Sequence, residues 1–462
     1  SFMKQYTING FADLLVSSTQ FKKLKTREKK LLLLDRCNWY ISSIIKQNIQ
    51  EDKPYGSYVN LNSQLLKKYL GDRIYKDIQL CLVGLGIIIE NAKYSTTKFS
   101  KSFCLTPKAV KLGVVKTYIY SKKIINKSKK AAQLNYDNSY SNPILKKIID
   151  NTLKLMVVED ESYYVMNILP EPKYVEFENQ IVDTSEQINQ FKLDRYDAYY
   201  SSFADLNKVT DPKLLFDKPI FYNPSIAASG RVYHTIASMP KYIRESMRVK
   251  PNELIWEVDM CSAQPSIVFL EWLSYAKKNF QKSIKDEYDL CLKLLLEGRI
   301  YQYVKDNSLF FQTLEYQKLK VSILSVLNAE NKPTEPNKEL TRLFPNVMQW
   351  VNNIKKESGY KRMSFIGQST EAKIFVKVYK EIPNEKFALL IHDCILVIKE
   401  DVELVEKSLE NRIRELYTDV IFSEHNLDKL FKASLVSIPD DKLNSTQREK
   451  YFKKTFEEGI LN

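Results

Sequence analysis

The chain has 462 residues, of which 44% are hydrophobic and 12% aromatic, and this composition excludes a disordered or fibrous protein and allows two to four subdomains. Its formal net charge of +14 favours a polyanionic partner such as nucleic acid. No apolar run approaches the ~18 residues of a membrane span, no signal-peptide pattern begins the chain, and the six cysteines lack CxxC spacing, so we expect reduced thiols, a cytoplasmic location and no membrane partner.

Residues 1–110 predict a helical domain that ends in a winged-helix-like unit. Apolar and basic positions alternate at helical spacing from 10 to 50. The predicted elements of the unit are helices over Leu61–Tyr69 and Ile74–Val83 and strands at Ile87–Ile89 and Ser102–Leu105. Helix, turn, helix and a two-stranded wing is the order of a winged helix, and the unit resembles those of plasmid-type replication initiators.

A strongly basic segment follows this unit. Between Asn91 and Tyr136 the sequence has eleven lysines and no acidic residue. Because a solvated surface usually mixes both signs of charge, the segment predicts a surface for nucleic acid, with an anionic membrane or a simple solvated face as the alternatives. The candidate DNA contacts are Lys122, Lys123, Lys129 and Lys130.

Residues 111–220 predict a helical, thumb-like connector without recognisable chemistry. Its clearest helical pattern covers Asn142–Val158, and a polar stretch covers Pro170–Asn207. From Phe221 onward, strand and helix patterns alternate, and the informative motifs lie there.

Two apolar runs, Leu254–Val268 and Phe387–Ile398, are each interrupted by an aspartate, Asp259 in the first and Asp393 in the second. Both runs have the composition of buried strands, in which a carboxylate is costly unless it is paired or bound to a metal. Two aspartates on adjacent strands facing one cleft would hold a pair of divalent metals for phosphoryl transfer. The alternative is two unrelated strand ends with solvated aspartates.

The residues next to each aspartate predict its local structure. His392-Asp393 falls where two apolar strands would turn back on each other, so Asp393 is expected at a hairpin tip. Asp259 would end its strand, and Gln264-Pro265 predicts a turn that feeds a helix.

Further motifs surround these two runs. In chain order they are Ser229-Gly230-Arg231, the arginines Arg244 and Arg248, a helix over Tyr316–Ala329, Leu343-Phe344-Pro345, a helix through Val378 opened by Phe365-Ile366-Gly367-Gln368, and His392-Asp393. Helical spacing puts four residues of the first of these helices on one face: Tyr316, Lys320, Leu324 and Asn328. Together they resemble the palm and fingers of A-family DNA polymerases, the DNA polymerase I group, over roughly residues 221–450.

The resemblance implies an α+β fold of the right-hand polymerase type, with palm, fingers and thumb. The N-terminal helical and winged-helix-like domain would precede this part in the chain. The implied domains are a DNA-binding domain at 1–110, the connector at 111–220, palm at 221–275, fingers at 276–384, and palm with C-terminal helices at 385–462.

The same resemblance gives the site residues their roles. Asp259 and Asp393 would ligate two Mg²⁺ ions, with Mn²⁺ as the alternative metal. Lys320 would meet the incoming deoxynucleoside triphosphate. The residues that would contact the DNA primer–template are Arg231, Gln368 and His392, the last at the primer terminus.

The fingers helix departs from the family pattern. Tyr316 replaces an arginine, Leu324 an aromatic residue and Asn328-Ala329 a Tyr-Gly pair. Binding of the triphosphate must therefore use other residues, with Lys318 and Arg248 as candidates.

The palm departs at two positions. Cys394 replaces the glutamate that follows His-Asp in the family, so only two carboxylates clearly face the metals. Gln264 stands where DNA-polymerising members carry a glutamate near the sugar 2′ position and single-subunit RNA polymerases carry a glycine. Sugar selection, and with it the acceptance of ribonucleotides, is therefore open.

The N-terminal half has no clustered Asp-x-Glu pattern of a proofreading exonuclease. The chain is thus similar to the reduced polymerases of phages and staphylococcal cassette-type mobile elements, which implies DNA replication of such an element, with primer synthesis and a small accessory protein as further expectations. The alternatives are an RNA polymerase or primase on the same palm, and a replication initiator whose palm has lost activity.

Overall fold

The structure is a computed structural model that describes residues 3–72, 74–91, 101–157, 174–177, 180–183, 185–203, 206, 211–217, 221, 224–239, 241–250, 252–279 and 281–437. The fold mixes helices with antiparallel sheets, which confirms the predicted α+β class. Within these ranges, no helix combines the length and the apolar character needed to cross a bilayer.

The N-terminal elements include the two helices and two strands predicted between residues 61 and 105. They are β1 (Met3–Ile8), α1 (Phe11–Val16), α2 (Thr19–Lys22), α3 (Arg27–Glu51), β2 (Val59–Asn60), α4 (Ser63–Leu70), α5 (Ile74–Gly84), β3 (Ile88–Glu90), β4 (Ser102–Leu105), α6 (Pro107–Leu112), β5 (Val114–Ile119) and α7 (Lys122–Tyr140). The helices α4 and α5 and the strands β3 and β4 were each predicted, and β2 adds a third strand in the order β2-β4-β3. The identification of this unit as a winged helix stays a prediction.

One pairing in this part was not predicted from the sequence. The first strand, β1, pairs antiparallel with β5, which ties the start of the chain to the basic segment. The predicted basic segment also includes residues 92–100, which lie outside the described residues.

The connector contributes to the central sheet, which corrects the prediction of a helical region. Besides β5 and α7, its described elements include α8 (Pro143–Thr152), β6 (Leu155–Val157), β7 (Tyr174–Phe177), β8 (Gln180–Asp183) and α9 (Ser185–Phe203). The predicted helix over Asn142–Val158 ends at Thr152, because Leu155–Val157 pairs instead with a strand of the C-terminal half. Part of the predicted Pro170–Asn207 stretch lies outside the described residues.

Helices and strands alternate in the C-terminal half. The elements are β9 (Ser225–Ile226), β10 (Val232–Tyr233), α10 (Lys241–Glu245), β11 (Met247–Val249), β12 (Glu253–Met260), α11 (Ala263–Lys278), α12 (Lys285–Leu296), α13 (Ile300–Asp306), α14 (Leu309–Gln312), α15 (Tyr316–Asn328), α16 (Glu335–Leu343), α17 (Pro345–Ser358), α18 (Lys361–Glu381), β13 (Ala388–Ile391), β14 (Cys394–Ile398), α19 (Val402–Leu416) and β15 (Phe431–Leu435). The central sheet has the order β13-β14-β12-β11-β6, and β15 also pairs with β12.

The register of this sheet separates a core face from a polar face. Directly opposed residues of antiparallel strands share a face, so Val258 and Met260 of β12 lie on the same side as Phe431 of β15. All three are buried, and Phe431 contacts Phe375 of α18, with 6.4 Å between the ring centroids. Asp259 therefore leaves the sheet on the opposite side.

The helices α11 and α18 hold the strand that carries Asp259. Ser262, with φ +53, lets the chain turn sharply into α11. Glu271 of α11 accepts hydrogen bonds from Thr370 of α18 at 2.6 Å and from Tyr417 at 2.9 Å. These bonds fix both helices beside the sheet.

The helix α18 begins at Lys361, so the prediction that Gln368 opens a helix is wrong. A glycine such as Gly367 usually weakens a helix interior. Here it makes room for the amide of Gln264, because a Cβ at Gly367 would lie 3.1 Å from Gln264 Oε1.

Candidate active site

Asp259 and Asp393 lie on adjacent strands of the central sheet. Asp259 is the penultimate residue of β12, and it pairs with Cys394 on the neighbouring strand β14. Asp393 precedes Cys394 in the two-residue turn between β13 and β14, which confirms the predicted hairpin tip. The turn is tight, since His392 has φ +48, and the Met260 N–H donates to the Asp393 carbonyl at 3.4 Å.

Burial and neighbouring charges raise the pKa of both carboxyl groups. Burial, followed by repulsion from Asp393 and Glu257, raises the pKa of Asp259 to about 7. The pKa of Asp393 is also raised, mainly by burial, while Arg231 and Lys320 act to lower it. Carboxyl groups in this state retain protons unless a cation compensates their charge.

Glu257 is a third acidic residue on the same face of the sheet. It lies two positions before Asp259 on β12, so the two side chains point in the same direction. Ser434 of β15 donates a hydrogen bond to its Oε1 at 2.9 Å. The alternation of side chains along a strand is the signal that would have indicated Glu257 from the sequence.

Lys320 of α15 is near enough to the two carboxyl groups to act on their charge. Its Nζ lies 4.6 Å from the ring centroid of Tyr316 and 5.7 Å from that of Tyr301. The two rings meet edge to face, with centroids 6.0 Å apart. Lys320 acts to lower the pKa of both Asp259 and Asp393, so its ammonium group is a cation of this site.

Arg231 reaches the site from the β9–β10 hairpin. Gly230, with φ +84, allows the turn, and the Ala227 N–H donates to the Arg231 carbonyl at 2.9 Å. The Nε atom of Arg231 lies 3.0 Å from Oε1 of Glu371 on α18. Glu371 is buried, and burial is the main cause that raises its pKa to about 7.

The stability of the metal-free protein should reveal the protonation of Glu371. A pKa raised from 4.5 to about 7 means that Glu371 stabilises the fold below about pH 4.5, and that this stability is lost as the pH rises through about 7. Relative to Glu371→Gln, the wild type is expected to lose about 3 kcal/mol across this range. Urea unfolding of both proteins as a function of pH measures this difference. A constant difference would show that Glu371 is ionised in the folded protein throughout.

Other predicted residues lie close to this cluster. Burial and then Arg231 lower the pKa of His392 to about 4, so its imidazole is neutral near neutral pH. Among the described residues, its buried Nδ1 has no hydrogen-bond partner. Ser229 donates to Oε1 of Gln368 at 3.3 Å, which places Gln368 beside the Arg231 hairpin.

The prediction that Arg248 grips phosphate groups is not supported. Its side chain is fully buried and donates to the carbonyls of Glu245 at 3.3 Å and Met247 at 3.0 Å. A guanidinium group that is buried and bonded to backbone carbonyls is not accessible to a ligand. Lys318 is exposed and forms an ion pair with Glu315 at 3.4 Å.

The remaining predicted residues have varied positions. Leu324 is half-buried on α15, and Asn328 accepts a hydrogen bond from Ser364 of α18 at 3.0 Å. Four exposed lysines lie on α7, which packs against α4 and α8: Lys122, Lys123, Lys129 and Lys130. No contact joins these lysines to the two aspartates within the described part of the chain.

The donor set of Asp259 and Asp393 suits a hard divalent cation. Mg²⁺ is usually held by one or two carboxylates, with water and substrate phosphates as its other ligands. In the part of the chain that the structure describes, no three His, Cys, Asp or Glu side chains are grouped closely enough to hold a metal on their own. A bound cation would reduce the repulsion between the two carboxylates.

Comparison with known proteins finds a weak structural likeness to a solved structure. No protein-family model matches the chain, and no curated protein matches it in sequence. Among solved structures, it is similar to the POL domain of Pol1 from M. smegmatis, determined in complex with DNA primer-template and dNTP, with 11% identity and a TM-score of 0.29. The match covers 67% of this chain and 65% of that chain, just under two thirds of its length. A likeness at this level does not establish a family.

Proposed function

We propose that this protein is a template-directed nucleotidyltransferase that extends a DNA primer. The observation that carries the proposal is the pair of half-buried aspartates, Asp259 on β12 and Asp393 in the turn before the adjacent strand β14, with Lys320 and Arg231 acting on their charge. Buried carboxylates with raised pKa values and cations on two sides are typical of a site that handles divalent metals and phosphates.

The proposed roles follow from the position of each side chain. Asp259 and Asp393 would hold Mg²⁺, which when bound activates a hydroxyl nucleophile and stabilises the charge on phosphate oxygens. Lys320, held between two tyrosine rings, would bind the triphosphate. Arg231 would face the primer strand, anchored by Glu371. His392 is neutral, and its Nδ1 is unpaired in the described structure, so this atom would form a hydrogen bond with the primer end.

The direct experiment is an extension assay on defined templates. Purified full-length protein is incubated with primed or unprimed DNA, with deoxynucleotides or ribonucleotides, and with or without Mg²⁺. Extension of the primed template only with Mg²⁺ supports the proposal. Products on unprimed template would add primase activity, and DNA binding without extension under every condition would favour the replication-initiator alternative.

The basic surface of α7 should make DNA binding depend strongly on salt. If it contacts about four phosphates, log affinity should fall with log salt at a slope steeper than about −3. Replacing Lys122, Lys123, Lys129 and Lys130 with glutamine is expected to flatten this slope in fluorescence-anisotropy titrations.

Four exposed lysines outside the basic segment provide the charge-matched control for these titrations: Lys373, Lys377, Lys380 and Lys407. Their replacement with glutamine should leave the slope nearly unchanged. Equal slopes for the α7 variant and the wild type would show that α7 faces away from DNA.

Gln264 provides a test of sugar selection. It lies in the first turn of α11, half-buried against Gly367. Its neutral amide keeps the volume of a glutamate and also donates hydrogen bonds. One extra hydrogen bond of about 1 kcal/mol from the amide to a ribonucleotide 2′-hydroxyl should make the wild type's preference for deoxynucleotides roughly five- to tenfold smaller than that of the Gln264→Glu variant.

Single-nucleotide insertion kinetics with matched ribo- and deoxynucleotides measure this preference. Gln264→Gly is expected to relax selection further than the wild type. Rejection of ribonucleotides by about 10⁴-fold in the wild type, or no change in Gln264→Gly, would contradict the role of Gln264.

A further inference from the structure

Lys432 lies beside the carboxylates at a position that no sequence motif indicates. The strand β15 pairs antiparallel with β12, and the register puts Lys432 directly opposite Asp259. Both side chains therefore leave the sheet on the same face. Asp259 has Cys394 on one side and Lys432 on the other, and the Lys432 side chain is exposed.

Contacts at the start of β15 fix this register. The Cys261 N–H donates to the Leu430 carbonyl at 2.8 Å. Gly298 lies so close to this segment that a Cβ there would be 2.5 Å from the Lys429 carbonyl oxygen. Phe431 packs on the core face, so the alternation of the strand turns the next residue toward Asp259.

The start of β15 also lies close to the residues around Lys320. Gly298, which packs against the Lys429 carbonyl, comes three residues before Tyr301. The ring centroid of Tyr301 lies 5.7 Å from Lys320 Nζ and 6.0 Å from the centroid of Tyr316, the other ring beside Lys320. These contacts connect the start of β15 with the surroundings of Lys320.

We propose that Lys432 is a second phosphate-binding cation, which acts with Lys320 on the triphosphate of the incoming nucleotide or on released pyrophosphate. The inference rests on the proposed function. The helix α15 presents Tyr316 one turn before Lys320, so at that position it offers a ring and not a second positive charge. A strand lysine at a fixed register supplies a compact charge from the sheet side.

The test is calorimetric binding of inorganic pyrophosphate, and of a deoxynucleoside triphosphate, to the full chain with Ca²⁺ as the divalent ion. Lys432→Ala is expected to weaken both by about ten- to a hundredfold, and Lys432→Arg to restore most of the affinity. Lys407→Ala is the control, because Lys407 is exposed on α19 and pairs with Glu403 at 2.7 Å. Thermal melts check that each variant is folded.

The outcomes separate this inference from the proposed function. If Lys320→Ala weakens binding and Lys432→Ala does not, Lys432 has no part in phosphate binding and the proposed function stands. If the wild type binds neither probe, both ideas are overturned. Weakening by Lys432→Ala as well as by Lys320→Ala, with rescue of the Lys432 variant by arginine, establishes the second cation.

Discussion

Asparagine in place of Asp259 or Asp393 is expected to lower the rate of nucleotide addition by about 10³-fold or more. Asparagine keeps the shape of aspartate and one oxygen, but it removes the negative charge that would hold a divalent cation. Each aspartate is half-buried close to other carboxylates, so its negative charge is destabilised unless cations lie near it, and a bound divalent cation would add to the effect of Lys320 and Arg231. Single-turnover extension at saturating nucleotide measures the loss.

Glu257→Gln is the matched control for these two variants. Glu257 shares the face of Asp259, and its charge raises the pKa of both aspartates. Removing this charge should change the rate by about tenfold at most, because Glu257 acts through its neighbours. DNA affinity should persist in all three variants. Near-normal extension by Asp259→Asn would contradict the assignment of the active site.

The aspartates were predictable because their signal is local. A carboxylate inside an apolar run is costly, so Asp259 and Asp393 indicated a site from the sequence alone. The hairpin tip at Asp393 and the helix α15 follow from patterns only a few residues long, and the structure confirms both.

Residues that depend on distant pairing were not predictable. Lys432 meets Asp259 across more than 170 residues of sequence, and nothing in the sequence fixes the register of β15. The pairing of Glu371 with Arg231 likewise joins a helix to a distant hairpin. The burial of Arg248 was unpredictable for the same reason, since it depends on the surrounding sheet.

Replacing Lys320 with methionine is expected to weaken nucleotide binding by about ten- to a hundredfold. Methionine retains much of the side-chain volume between Tyr301 and Tyr316, so the packing of α15 should survive. The variant should also shift the pH profile. Lys320 lowers the pKa of Asp259 and Asp393, so without it both carboxyl groups hold protons to higher pH. The acid limb of the rate profile should therefore move to higher pH.

Lys318→Met distinguishes this role from a general effect of positive charge on α15. Lys318 lies on the same helix, two residues away, and is exposed and paired with Glu315. Side chains two positions apart do not share a helix face, so this variant should bind nucleotide normally and keep the wild-type pH profile. Equal losses in both variants would assign the effect to the overall charge of α15. A loss confined to Lys320, together with the shifted acid limb, would place its ammonium group beside the two carboxylates during the reaction.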